Sequence, residues 1–319
     1  MYNIAVIGAG QLGSRHLQGL ATFRYPCNLH IVDPFDKSMA VARARIDEVG
    51  PNTNINGVFS HVSAASLPDV IDLAVVATTA DVRMAAIEAL FGATSVKSLV
   101  LEKVLFQRFG EYAAASELIQ QEGIKCWVNC PRRMYPVYAD LKNFFADDPV
   151  TYISVHGGDW GLGCNAVHFL DLLAFFHEKG NFTFDTSNLD TEARVSKRPG
   201  FVEYTGMLQG CYGGAKFSLT SICNSRAKHL ITLRGERKSA VVDEVGGRLW
   251  AIDEAGSQVI DFSLPFQSQL TGLVAESILL QGDCGLTPYE QSAEMHLPLL
   301  KALASHGVVG ELPDLCALT

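Results

Sequence analysis

At 319 residues the chain is longer than one ordinary core fills, which sets an expectation of two domains of usual size. Its 48% apolar and 18% charged residues, with no run near the roughly 18 uninterrupted apolar residues that a membrane helix needs, are those of a soluble globular protein with no membrane partner. A net charge of -9 argues against a sequence-independent grip on nucleic acid, because that grip depends on lysine and arginine neutralising phosphates.

The amino terminus, MYNIAVIGAG, has no basic n-region, apolar h-region and small-residue cleavage site in sequence, so the expected compartment is the cytoplasm. Asn3 to Ile7 is a β-branched apolar run, followed at once by Gly8-Ala9-Gly10-Gln11-Leu12-Gly13 and a helical segment from Ser14 to Phe23. Strand, glycine turn and helix in this order are what dinucleotide binding requires. Gly8 allows the tight turn, Gly10 lets backbone approach a pyrophosphate, and Gly13 lets the helix pack close on the strand. Gln11 and Leu12 complete a cradle whose phosphates sit on free N–H groups at a helix start. A second strand, Leu29 to Val32, ends in Asp33, about twenty residues beyond the last glycine. An acid there accepts from both ribose hydroxyls and repels a 2′-phosphate, which favours NAD over NADP, while the nearby Lys37 leaves NADP possible. The competing reading of Asp33 is a plain turn residue before Pro34.

The alternation continues with a helix over about Ser38–Val49, a short strand at Val58-Phe59, a buried strand Ile71–Ala77 and a helix running to about Leu90. The strand Ser98–Leu101, a helix over Gly110–Gln121 and the strand Lys125–Val128 follow. Strands separated by helices of ten or more residues imply a parallel, doubly wound Rossmann sheet with its ligand at the carboxyl ends of the strands. Thr78, Thr79, Glu102 and Lys103 fall at such ends and are candidate cofactor contacts.

After Val128 the text changes to Asn129-Cys130-Pro131-Arg132-Arg133-Met134-Tyr135-Pro136, and the domain junction is placed here, giving residues 1–128 and 129–319. A strand Thr151–His156 leads into a glycine-rich loop, Gly157 to Gly163, and a helix over about Asn165–His177. Strands are predicted at Phe201–Leu208, Ala215–Ile222, Leu230–Leu233, Ala240–Val242, Leu249–Ile252 and Val259–Phe262, joined by turns of hairpin length such as Glu254-Ala255-Gly256. The second domain is therefore read as α+β with a largely antiparallel open sheet, one face backed by helices and the other free for substrate or a second subunit. A last helix over about Pro288–Ser305 is expected to pack back on the first domain. The eight cysteines include no CxxC pair, so they are read mostly as small buried hydrophobes in a reducing compartment, without a metal site.

The run GAGQLGSRH, Gly8 to His16, resembles the opening of the glucose-fructose oxidoreductase, inositol dehydrogenase and MocA family. Val76-Ala77-Thr78-Thr79 is similar to that family's fourth-strand segment, Leu101-Glu102-Lys103 to its Glu-Lys-Pro motif, and GCNAVHFLDLL, Gly163 to Leu173, to the helix carrying its histidine and aspartate. Four motifs in order over about the first 175 residues make the match specific. Three departures stand out. Val104 replaces the motif's proline, Thr79, Ala80 and Arg83 replace the Pro, Asn and His common after the fourth strand, and Cys164 replaces an aspartate four residues before the histidine.

The resemblance implies an NAD(P)-dependent oxidoreductase acting on a sugar, polyol or nucleotide-sugar, working as a homodimer or homotetramer. It also implies that Asn129 and Arg133 line the site, which the residues alone leave open against a solvated turn. Oxidising a secondary alcohol requires a base for its proton as hydride leaves to the nicotinamide. His168 suits that role by its ordinary pKa, with Asp171 three residues on along the helix; Lys103 at its strand end can polarise a substrate oxygen. Trp160 and Asn165, flanking the start of the same helix, are candidate substrate contacts. His168 among Val167, Phe169 and Leu170 also reads as a core residue. A cofactor- or sugar-binding regulatory protein without turnover is the alternative that Cys164 and Val104 favour. An unrelated Rossmann protein, such as an imine or biliverdin-type reductase, would share the nucleotide half only.

Overall fold

The run Tyr2–Ile7 forms an interior strand of a seven-stranded sheet because it is apolar on both sides: Ile4, Ala5 and Val6 are fully buried. Across that sheet the order is Thr287–Pro288, Lys125–Val128, Ser98–Leu101, Leu73–Val76, Tyr2–Ile7, Cys27–Val32, Ile55–His61. Every neighbouring pair is parallel except the two-residue Thr287–Pro288, which runs antiparallel to Lys125–Val128. The strand order reverses beside Tyr2–Ile7, and in such sheets the crevice at the reversal is where a ligand sits. This computed structural model describes residues 1–177, 179–306 and 314–319.

Met1–Phe106, Glu111–Asn129 and Pro265–Tyr289 form one compact unit, and Gln107–Gly110, Cys130–Leu264 and Glu290–Thr319 form a second. The segment that returns to the first unit is thus Pro265–Tyr289, and the last helix, Tyr289–His306, belongs from Glu290 onward to the second. The returning helix, Gln267–Gln281, is absent from the sequence reading. It buries Leu270, Val274 and Ile278 along one stripe, but Leu273 and Leu280 are exposed on other faces, which blurs the amphipathic pattern. It lies against the helix Gly13–Leu20 where both backbones are bare: a Cβ on Gly19 would stand 2.9 Å from Thr271 Cβ, and one on Gly272 2.8 Å from the Gly19 carbonyl oxygen.

The second unit is built on an eight-stranded sheet in the order Phe182–Leu189, Gly206–Tyr212, Ala215–Ile222, Tyr152–Gly158, Leu230–Arg234, Ser239–Asp243, Arg248–Asp253, Gly256–Asp261. All pairs are antiparallel save Ala215–Ile222 with Tyr152–Gly158. Along Ala215–Ile222 the alternate residues Ala215, Phe217, Leu219 and Ser221 are buried, so the two faces differ as the alternation requires. The edge strand Phe182–Leu189 and the helix Pro136–Phe144 are additional to the elements predicted. The loop predicted over Gly157–Gly163 is shorter: the strand runs to Gly158 and the helix starts at Leu162. Cys27, Cys126, Cys130 and Cys316 are buried, but Cys164, Cys211 and Cys284 are half-buried and Cys223 is exposed, so half rather than most of the cysteines fill core space. Among the described residues no helix is long and apolar enough to cross a membrane.

A charged cluster lies within the second unit. Arg132 donates to both oxygens of Glu244 at 2.9 and 2.8 Å, Tyr138 Oη donates to Glu244 Oε1 at 2.6 Å, and the Arg132 guanidinium lies 4.4 Å from the centre of the Phe169 ring. Burial by itself would raise the Glu244 carboxyl, but the Arg132 charge and the donors on it hold it at about 2. A carboxylate depressed in the folded state contributes stability that is complete above its unfolded value of 4.5 and is lost as pH falls toward 2. Acid denaturation followed by circular dichroism should therefore show wild-type stability falling across that window by about 3 kcal/mol more than in Glu244→Gln. Equal slopes would show that Glu244 is not held ionised in the fold.

Candidate functional site

Gly8 closes the first strand at φ +89°, and its amide donates to the Val32 carbonyl at 2.8 Å. A Cβ on Gly8 would stand 2.9 Å from the Thr78 nitrogen, and one on Gly13 1.8 Å from the Gly8 carbonyl oxygen, so side chains are excluded at both places. At Gly10 the same atom would meet nothing within 4 Å. Gly10, Gln11 and Leu12 are exposed while Gly13 and Ser14 are buried, so the open part is the turn just before the helix Gly13–Leu20, at the end where a helix dipole favours an anion. Arg45 fixes Gln11 by donating to its carbonyl at 2.7 Å and to its Oε1 at 2.8 Å.

Asp33 is buried at the end of Cys27–Val32 and performs two jobs. Its Oδ2 accepts from the Ala9 amide inside the glycine turn at 2.7 Å, and its Oδ1 accepts from the Phe35 amide at 2.9 Å. The second bond is the turn role read for it beside Pro34; the first ties it to the glycine turn. Two N–H bonds leave a carboxylate with further acceptor capacity.

Glu102 is placed differently from expectation. It is 2% exposed, with His16 Nε2 at 2.8 Å from its Oε1 and the Asn129 amide donating to the same oxygen. Asn129 also donates to Gln267 Oε1 at 2.9 Å, and Thr271 Oγ1 lies 3.0 Å from His16 Nδ1. Glu102 and Asn129, read as facing cofactor and substrate, are thus joined in a buried network, because a carboxylate in the core needs donors of its own. The network fixes the end of Ser98–Leu101, directly before Lys103. Thr78, Thr79 and Lys103 are half-buried at the strand ends, and the Lys103–Val104 peptide is cis.

Arg83, one of the departures, turns inward. Its guanidinium is buried and donates to the carbonyls of Thr78, Val104 and Leu105, the last at 2.7 Å. Burial pushes it down to about 10, against the field of the Glu102 carboxylate.

In the second unit the helix Leu162–Phe176 begins after Gly161 at φ +76° and carries Cys164, Asn165, His168 and Asp171. Asn165 Nδ2 donates to the Trp160 carbonyl at 2.9 Å, and Trp160 Nε1 donates to the Thr220 carbonyl at 2.9 Å, so both hold the loop that starts the helix. His168 is half-buried. Asp171 is fully buried, and Arg133 donates to its two oxygens at 2.9 and 2.7 Å. Asp171, read beside His168, and Arg133, read toward substrate, are therefore paired with each other, since a buried carboxylate is stable only when neutralised. The pair fastens the helix to the turn Pro131–Met134.

These features define a Rossmann-type parallel sheet followed by an open, largely antiparallel sheet. No family model matches the chain, and no curated protein matches it in sequence. The same fold occurs in UDP-N-acetylglucosamine 3-dehydrogenase from Acidithiobacillus ferrooxidans, at 14% identity over 94% of this chain and 96% of that one, with a TM-score of 0.72. It occurs in scyllo-inositol dehydrogenase from Lactobacillus casei, solved with NAD(H) and scyllo-inositol, at 16% identity over 96% and 98%, TM-score 0.68. Biliverdin reductase from Synechocystis sp. PCC 6803, solved with biliverdin and NADP+, is similar at 15% identity over 96% and 99%, TM-score 0.69. The last match spans both units, which corrects the expectation that such a reductase shares the nucleotide half alone.

The glycine geometry has a ligand-independent test. Gly13→Ala should lower stability by more than about 2 kcal/mol, since its Cβ meets backbone, whereas Gly10→Ala should leave the thermal midpoint near that of the wild type. Differential scanning calorimetry of the two proteins checks the contrast; equal losses would refute the turn geometry.

Proposed function

We propose that the protein is an NAD(P)-dependent oxidoreductase of the glucose-fructose oxidoreductase, inositol dehydrogenase and MocA family, acting on a secondary alcohol or ketone of a sugar, polyol or nucleotide-sugar. The observation that carries this reading is the open Cβ position at Gly10, on an exposed helix start whose flanking glycines are packed against backbone. The cradle fits a dinucleotide: Gly10, Gln11, Leu12 and Gly13 offer backbone to its pyrophosphate, and Asp33 stands beside the turn with acceptor capacity for a ribose. Neighbouring folds are solved with NAD(H) and with NADP+ and include sugar and polyol dehydrogenases, which supports both cofactor and substrate class.

Bound NAD supplies the hydride acceptor at its nicotinamide. The protein's part is to orient the substrate and move its proton. His168 is assigned the proton, taken from the substrate hydroxyl in oxidation and returned in reduction. Lys103 is assigned the polarisation of the substrate oxygen, and Thr78 and Thr79 contact the nicotinamide end. Trp160 and Asn165 shape the substrate loop. Arg133 and Asp171 act by holding the His168 helix in place. We further infer a homodimer or homotetramer, supported by the row Thr232, Val241, Trp250 and Val259 on one sheet face, and a cytoplasmic setting, supported by eight cysteines with no CxxC pair among them.

Fluorescence titration should show NAD bound at least about tenfold more tightly than NADP, with Asp33→Ala removing the difference and Gly10→Val abolishing binding in a folded protein. Equal affinities in the wild type would remove Asp33 from the cofactor site. Against a panel of sugars, polyols and nucleotide-sugars followed at the NADH absorbance, His168→Ala should lower kcat by about a hundredfold or more with NAD affinity nearly unchanged. A wild type that binds NAD yet turns over none of the panel would identify a binding module instead.

A further inference from the structure

Lys103 sits between two buried anchors. On its amino side, the Glu102 amide donates to the Val76 carbonyl at 3.0 Å, and the Glu102 carboxylate is held by His16 and Asn129. On its carboxyl side, the carbonyls of Val104 and Leu105 both receive Nη1 of Arg83, while Nη2 of the same guanidinium reaches back to the Thr78 carbonyl. Arg83 therefore spans the carboxyl ends of two adjacent strands, Leu73–Val76 and Ser98–Leu101. The nearby charge that acts on it comes mainly from Glu102, with no carboxylate among these acceptors; Ala80, Val104, Leu105 and Phe106 along the same segments are fully buried.

A buried charge whose hydrogen-bond acceptors are neutral carbonyls is a costly way to stabilise a fold; an apolar side chain of similar volume avoids the desolvation. What the guanidinium offers instead is geometry. Its planar fork donates in several fixed directions at once, which a lysine ammonium on a flexible stem does not reproduce. Thr78 is also the residue against which Gly8 of the glycine turn is packed. One side chain thus sets the spacing between the turn, the Thr78 strand end and the backbone that carries Lys103.

We propose that Arg83 is a positioning residue: its guanidinium holds Thr78, Val104 and Leu105 so that Lys103 is presented at a fixed place beside the nucleotide turn. The proposal rests on the reading of Lys103 as the polarising group, and its test separates the two. Lysines are reductively methylated with 13C-formaldehyde, and the Lys103 resonance is assigned by its loss in Lys103→Arg. In Arg83→Met, and in the milder Arg83→Gln should the first not fold, the Lys103 resonance shifts or broadens, whereas that of Lys97, at the opposite end of the strand Ser98–Leu101, does not. NAD affinity by calorimetry stays within about threefold, and kcat falls at least about tenfold. Arg83→Lys does not restore kcat, and added methylguanidinium partly restores it in Arg83→Ala. A folded variant with an unchanged Lys103 resonance overturns the positioning role, whatever the activity. A shifted resonance with unchanged kcat keeps Arg83 as the positioner and overturns Lys103 as a catalytic residue.

Discussion

The glycine turn of the first unit depends on a lack of room. Between the glycine turn and the strand end at Thr78 there is no space for a Cβ on Gly8, nor for one on Gly13 beneath the Gly8 carbonyl. That contact presses the helix Gly13–Leu20 down onto the sheet, and this sets the height at which its first N–H groups emerge. It also brings the Ala9 amide within reach of Asp33, the residue directly after the strand Cys27–Val32. Gly10 is different in kind. A Cβ there would meet nothing within 4 Å, so packing within the fold does not exclude a side chain at this place.

Buried charge organises what the glycines leave undetermined. Surface pairs such as Arg248 with Asp261, both largely exposed, contribute about 0–1 kcal/mol and fix nothing. Arg133 with Asp171 and Arg132 with Glu244 are of another order, since removing one partner strands a charge in the core at a cost of about 3–5 kcal/mol. Both arginines come from the turn Pro131–Met134, and they diverge: Arg132 reaches a strand-end acid and packs over Phe169, while Arg133 grips Asp171. Phe169 and Asp171 flank His168 on the helix by one and three residues. The orientation of that helix is therefore set by two adjacent guanidiniums rather than by apolar packing alone.

Local grammar made the first sheet legible, because strand, glycine turn and helix are decided by residues that touch along the chain. Ser98–Leu101, Gly110–Gln121 and Lys125–Val128 fall where the periodicity puts them. The strand Phe182–Leu189 escaped notice because it is an edge strand with mostly half-buried or exposed residues, so no apolar face announces it. Partners across long separations escaped for another reason. Arg133 lies 38 residues from Asp171, and Arg132 lies 112 from Glu244, so their sequences say that each is charged but not that they meet. The motifs around Glu102, Asp171 and Arg133 thus marked charged groups without saying which partner each one takes in the fold. At Arg83 a departure from the family pattern was visible, but only the fold turns its side chain inward.

The chain's connectivity bears on how the protein is made. The helix Gln267–Gln281, which supplies Gln267 and Thr271 to the network around His16 and covers the bare face at Gly19, is synthesised after the whole stretch Cys130–Leu264. At ordinary translation speeds that interval is on the order of ten seconds. During it the nascent Rossmann sheet can form its parallel core, but one helix face and part of a polar network stay uncovered. The amino-terminal half is therefore not a module that finishes folding as it leaves the ribosome. It is a discontinuous domain that closes after its insert has been built, and chaperone capture is expected to fall on that waiting interval.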